Sequence, residues 1–123
     1  MLIALSILNA LLAIAFGSAG VLKLTQSRSQ LGARGMAWTD DFSPTQIRAI
    51  GVAEVVGALG LVLPLITGLL MILAPAAALG LACLMGGAIF THIRRGESPL
   101  PPLVLGMLTL ASTVLGTLAY SMR

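Results

Sequence analysis

Ser43-Pro44-Thr45-Gln46-Ile47-Arg48-Ala49-Ile50-Gly51-Val52-Ala53-Glu54-Val55-Val56-Gly57-Ala58-Leu59-Gly60-Leu61-Val62-Leu63-Pro64 decides how this chain is built. Serine followed by proline is a helix start, with serine as cap and proline at the first helical position. From Ile47 to Ile66 the run is close to the ~20 apolar residues that carry a helix across ~30 Å of hydrocarbon. Within it stands one carboxylate, Glu54. A charge at that depth costs several kcal/mol unless it is paired, neutralised or turned toward other helices.

Three more stretches have the same character, and the predicted spans are about 2–22, 47–66, 69–90 and 103–120. Of the 123 residues 58% are hydrophobic and 9% charged; the mean hydropathy is +1.04. Soluble domains carry roughly a quarter charged residues, so this is a membrane composition. The runs do not alternate polar with apolar, which excludes a β-barrel. The expected fold is all-α: a single integral membrane domain over residues 1–123, a four-helix bundle with short up-down connections.

The pI near 10 does not point to nucleic acid, because the basic residues mark topology. Lys23, Arg28, Arg34 and Arg48 flank or fill the first connection and Arg94 and Arg95 the third, against Arg123 on the opposite side. By the positive-inside rule both termini lie outside, and loops 23–46 and 91–102 are cytoplasmic, in a cell inner (plasma) membrane. The first span lacks the basic flank and short apolar run of a cleaved signal peptide. Cys83 is the single cysteine, which removes disulfide exchange and reads as a packing residue.

Small residues at four-residue spacing mark where helices approach or a partner docks: Ala49/Ala53/Gly57 in the second span and Ala78/Ala82/Gly86 in the third. Either face is a candidate for a protein partner or a second copy; membrane lipid is the expected surroundings. Pro75 is expected to kink the third span. In the fourth, Gly106, Thr109, Thr113, Gly116 and Tyr120 form a stripe expected to face the interior. Asn9 is an expected interhelical hydrogen-bonding group. Trp38, the single tryptophan, lies in a 21-residue connection and is either an interface anchor or a lid.

Depth brings a polar set together. Glu54 lies roughly 15 Å along its helix, Thr109 on the order of 10 Å into the fourth, and Lys23 roughly 5 Å from the end of the first. His92 ends the third span. Lys23, Glu54, His92, Thr109 and Ser18 therefore form a candidate ligand-binding or structural cluster facing the cytoplasmic side. Lys23 either snorkels outward or turns toward Glu54, and Glu54 is either a helix clamp or a ligand and proton site; composition leaves both open.

Gly20-Val21-Leu22-Lys23-Leu24, Met36–Ser43, the Gly51-x-x-Glu54-x-x-Gly57 run and His92-Ile93-Arg94-Arg95-Gly96-Glu97 resemble the DoxX-like family of small bacterial membrane proteins. The resemblance implies a four-helix membrane bundle in which Lys23, Glu54 and His92 are the polar positions. It also implies a link to quinone-dependent redox or stress-response membrane complexes. The function expected is an accessory or scaffold protein binding a quinone or lipid around Glu54, without catalysis of its own; no residue is assigned as catalytic. One histidine and one cysteine cannot supply bis-histidine haem or an iron–sulfur cluster, and no metal constellation is visible. The alternative is a small proton-coupled transporter using Glu54.

Overall fold

The computed structural model describes residues 1–122. Four long helices, α1 (Leu2–Thr25), α3 (Pro44–Thr67), α4 (Leu73–Arg94) and α5 (Leu100–Ser121), run up and down. A short α2 (Arg28–Ala33) and a 3-10 turn (Ala37–Asp41) fill the first connection. At 22 to 24 residues the long helices measure about 33–36 Å, enough to cross the hydrocarbon layer. The chain is a multi-pass membrane protein with an all-α four-helix architecture. In sequence order each long helix packs on the next, and α5 closes more lightly onto α1.

The outward faces are apolar: Ile3, Ile14, Val56, Ile66, Leu110 and Val114 are all exposed. In lipid such a surface costs nothing, and the helices associate instead through close packing and interhelical hydrogen bonds. The core is small: Leu12, Phe16, Ala58, Leu61, Ala78, Leu81 and Met85. A polar clamp supplements it. Asn9 Nδ2 donates to the Leu61 carbonyl at 2.9 Å, and the Ser112 hydroxyl donates to Asn9 Oδ1. One buried amide thus ties α1 to α3 and α5. Asn9→Ala is expected to cost about 1 kcal/mol, in the range of such bonds within membranes. Adding Ser112→Ala should then cost little more, because the two side chains act as one unit. Reversible unfolding of the reconstituted protein in SDS-containing micelles measures both.

Two predicted features change on folding. The third span starts at Leu73 rather than Leu69. Gly68 takes the left-handed conformation that ends α3 (φ 70°), and Leu70 follows at φ 52°. The later start puts Pro75 in the first turn, where no backbone N–H is needed, so no helix bond is lost and the expected kink is replaced by a proline helix start. Gly116 of α5 packs on this ring: a Cβ there would lie 3.2 Å from the Pro75 Cβ.

The second change concerns the small-residue stripes. Ala49 and Ala53 are exposed while Gly57 is buried; Ala78 is buried, Ala82 half-buried and Gly86 exposed. A strict four-residue step rotates about 40° around the helix each time, so the stripe leaves the seam. The α3 seam alternates steps of three and four through Ile47, Gly51, Glu54, Ala58 and Leu61. On α5, Gly106, Thr109 and Gly116 face inward as expected. Thr113 is half-buried and Tyr120 exposed, and Ser112 and Ala119 complete the inner face.

Candidate functional site

The site is built on a contact between two bare backbones. Gly20 of α1 and Gly51 of α3 face each other so closely that a Cβ on Gly20 would lie 2.7 Å from the Gly51 oxygen. Lys23 and Glu54 each follow their glycine by three residues, which keeps them on the same helix face. The helices are antiparallel, so Lys23 lies nearer the loop end and Glu54 nearer the middle. The lysine stem crosses the space Gly51 leaves open, where an added Cβ would be 3.0 Å from the Lys23 Cβ. Nζ then meets Glu54 Oε1 at 2.6 Å. Lys23 therefore turns inward, and both residues are almost wholly buried, at 5% and 3% exposure.

Beside the pair opens a cavity of about 440 Å³ between α3, α4 and the first connection. Its walls are largely apolar: Ile50, Leu84, Met85, Ala88 and Phe90. Lys23, Glu54, Thr91 and His92 contribute polar groups, and Trp38 and Phe42 contribute rings. These two rings meet edge to face, centroids 5.6 Å apart at 84°. The Lys23 ammonium lies 5.4 Å from the Trp38 centroid, within cation–π range.

The turn carrying the rings is tied down from both sides. Arg28 Nη1 donates to the Phe42 carbonyl at 3.1 Å. Arg95 donates to Asp41 Oδ1 at 2.8 Å and to Glu97 Oε2 at 3.2 Å, joining the turn to the end of α4. The hydrogen bond to Asp41, followed by that to Glu97, holds the Arg95 pKa above its ordinary value. His92 Nδ1 and Glu97 Oε1 stand 3.4 Å apart without hydrogen-bond geometry, and both atoms are buried with no other partner among the described residues. A small adjustment would join them.

Lys23, Glu54, His92 and Trp38 line one cavity; Thr109 and Ser18 do not. Ser18 precedes Gly20 by two residues, about 200° around α1, and is exposed on the outward face. Thr109 is fully buried at a comparable depth, but its hydroxyl donates to the Gly106 carbonyl of its own helix at 2.8 Å. Met85 stands between α5 and the cavity: it lines the cavity and packs on Gly106, where a Cβ would be 3.4 Å from its own. Met85 and Ile50 were not foreseen as wall residues, since one apolar residue in a membrane helix looks like another. Phe42 had a signal: it sits four residues after Trp38 beside the Ser43 cap.

The glycine spacings around Lys23 and Glu54 have a physical meaning. In Gly20-x-x-Lys23 the glycine permits the crossing and the lysine exploits it. In Gly51-x-x-Glu54-x-x-Gly57 the first glycine does the same, the glutamate closes the pair, and Gly57 receives Leu81 of α4. No curated protein and no solved structure matches the chain. The sequence model of the DoxX-like family matches residues 7–114, from the early turns of α1 far into α5. With four membrane-length helices and this match over most of its length, the chain belongs to the DoxX-like family.

Proposed function

We propose that the cavity beside Glu54 binds a flat, largely apolar molecule with a hydrogen-bonding oxygen at one end. A quinone headgroup is the chemical class that suits it. The protein then acts as an accessory or scaffold subunit of a membrane redox or stress-response complex, without catalysis of its own. One observation carries this reading: a buried ion pair forms part of the wall of an apolar cavity of about 440 Å³ faced by Trp38 and Phe42. A clamp between α1 and α3 alone needs no such cavity. Ligand sites commonly combine apolar and aromatic walls with a few fixed polar groups. Lys23 can donate to a carbonyl oxygen, and Glu54 or His92 can exchange a proton with it. Lys23, Arg28, Arg34, Arg48, Arg94 and Arg95 all belong to the end of the bundle where the cavity lies, which favours a cytoplasmic placement of that end and an outside placement of both termini.

Gentle purification followed by lipid extraction and mass spectrometry tests the proposal. Stoichiometric quinone is expected with the wild type. At least tenfold less is expected with Glu54→Gln and with Trp38→Ala, the latter leaving the ion pair in place. Absence of quinone from all three would refute the ligand reading and leave the pair as a helix clamp. Substrate-driven proton release from vesicles, abolished in Glu54→Gln, would instead identify a small proton-coupled transporter.

A further inference from the structure

On the other side of Lys23 lies a second, smaller pocket of about 190 Å³, between the end of α1, the start of α3 and α2. Lys23, Gln26, Ser27, Arg28 and Arg48 contribute to its lining, and no carboxylate does. Lys23 is neutralised by Glu54; the two arginines are not neutralised. Arg48 Nη1 donates to the Leu24 carbonyl near the C-terminal end of α1, and Arg28 Nη1 to the Phe42 carbonyl. Both acceptors are neutral. Among the described residues, neither guanidinium has an acidic partner within ion-pair distance. Each retains further N–H donors, since a guanidinium carries five.

Two unneutralised guanidinium groups on one pocket are a site for an oxyanion. Arginine forks suit phosphate oxygens, and such bonds are among the stronger ones proteins make. The pocket's depth narrows the source. It lies where α1 ends and α3 begins, and helices of this length place their ends in the headgroup region. Basic pockets between membrane helices bind anionic headgroups there. The remaining lining is apolar (Leu31, Pro44 and Ile47), as the glycerol end of a lipid would require.

We propose that Arg28 and Arg48 hold the phosphate group of an anionic phospholipid in this pocket. The two pockets share Lys23, and Arg28 also anchors the turn that carries Phe42, but neither arginine lines the larger cavity; phospholipid binding and quinone retention are read separately, so either proposal can fail alone.

Native mass spectrometry of the full chain in mild detergent tests it, titrating dioctanoyl phosphatidylglycerol, dioctanoyl phosphatidylcholine and inorganic phosphate. Saturable binding of one phosphatidylglycerol per chain is expected, with phosphatidylcholine weaker because its ammonium cancels the phosphate charge. Arg28→Gln and Arg48→Gln should each weaken binding at least tenfold. Arg94→Gln should leave it unchanged: Arg94 belongs to the same basic end of the bundle but lies on α4 and does not line the pocket. Inorganic phosphate binding as tightly as phosphatidylglycerol would uphold the oxyanion site and assign it to a soluble phosphate. Wild-type binding in Arg28→Gln, or an equal loss in Arg94→Gln, would overturn the proposal. Because Arg48→Gln also removes a cap from α1, its thermal unfolding is measured alongside, and Arg28→Gln decides if that variant does not fold.

Discussion

Replacing Lys23 with leucine is expected to destabilise the bundle by about 3–5 kcal/mol, the cost of leaving one member of a buried ion pair without its partner. Glu54 is nearly three turns inside α3, beyond Arg48 and Gly51, and its short side chain cannot reach the headgroup region. Glu54→Leu should cost less, about 1–3 kcal/mol, although it breaks the same 2.6 Å contact. The lysine has a long stem and sits in the last turn of α1, so it can swing outward and recover solvation. The double substitution Lys23→Leu/Glu54→Leu should fall within about 1 kcal/mol of wild type, because no charge is left buried. Unfolding free energies of all four proteins, in the same SDS-micelle titration, give the coupling energy directly. A coupling below about 0.5 kcal/mol would mean that Lys23 and Glu54 do not depend on one another energetically, and equal single-mutant costs would remove the argument from side-chain reach. If the double variant is as stable as wild type yet retains no quinone, the pair serves the cavity rather than the fold.

The helices were legible because a membrane span declares itself by length and hydropathy, and Leu2–Thr25, Pro44–Thr67 and Leu100–Ser121 enclose the spans expected. The start of α4 was not. Leu69 and Leu70 are as apolar as any helical residue, and only the left-handed turn at Gly68 and Leu70 removes them from the helix. The seams were half legible: glycine and alanine spacings found Gly57 and Ala78 but also promoted Ala49, Ala53 and Gly86, because a spacing does not say which rotation faces the neighbour. Glu54 stood out through the cost of its charge, and Lys23 through charge and depth. Their joining depends on Gly20 lying opposite Gly51, a register between two helices that neither carries alone. The partner of Asn9 was out of reach for a plainer reason: the Leu61 acceptor is a backbone carbonyl, which every residue has.

That register makes the glycines unequal, and alanine at each gives a graded result. At Gly20 the new methyl would stand 2.7 Å from the Gly51 oxygen and 2.8 Å from Val55 Cγ2; at Gly51 it would stand 2.9 Å from the Gly20 oxygen. Backbone atoms cannot rotate aside as a side chain can, so relief requires the two helices to separate. Overpacking of this kind costs about 1–3 kcal/mol, and the separation also pulls on the Lys23–Glu54 contact just beyond it. At Gly57 the neighbour is the Leu81 side chain, with Cδ2 2.7 Å and Cγ 2.8 Å away; a side chain can shift where a backbone cannot, so the cost should be smaller. At Gly17 the methyl would meet the Ala58 Cβ at an ordinary 3.7 Å. There alanine should be neutral or stabilising by up to about 1 kcal/mol, the intrinsic helix preference of alanine over glycine. The expected order of destabilisation is therefore Gly20 and Gly51 first, Gly57 next and Gly17 last. Quinone retention should fall with Gly20→Ala and Gly51→Ala and persist in Gly17→Ala. Equal stability of Gly17→Ala and Gly20→Ala would contradict the close crossing itself, and with it the route by which Lys23 reaches Glu54.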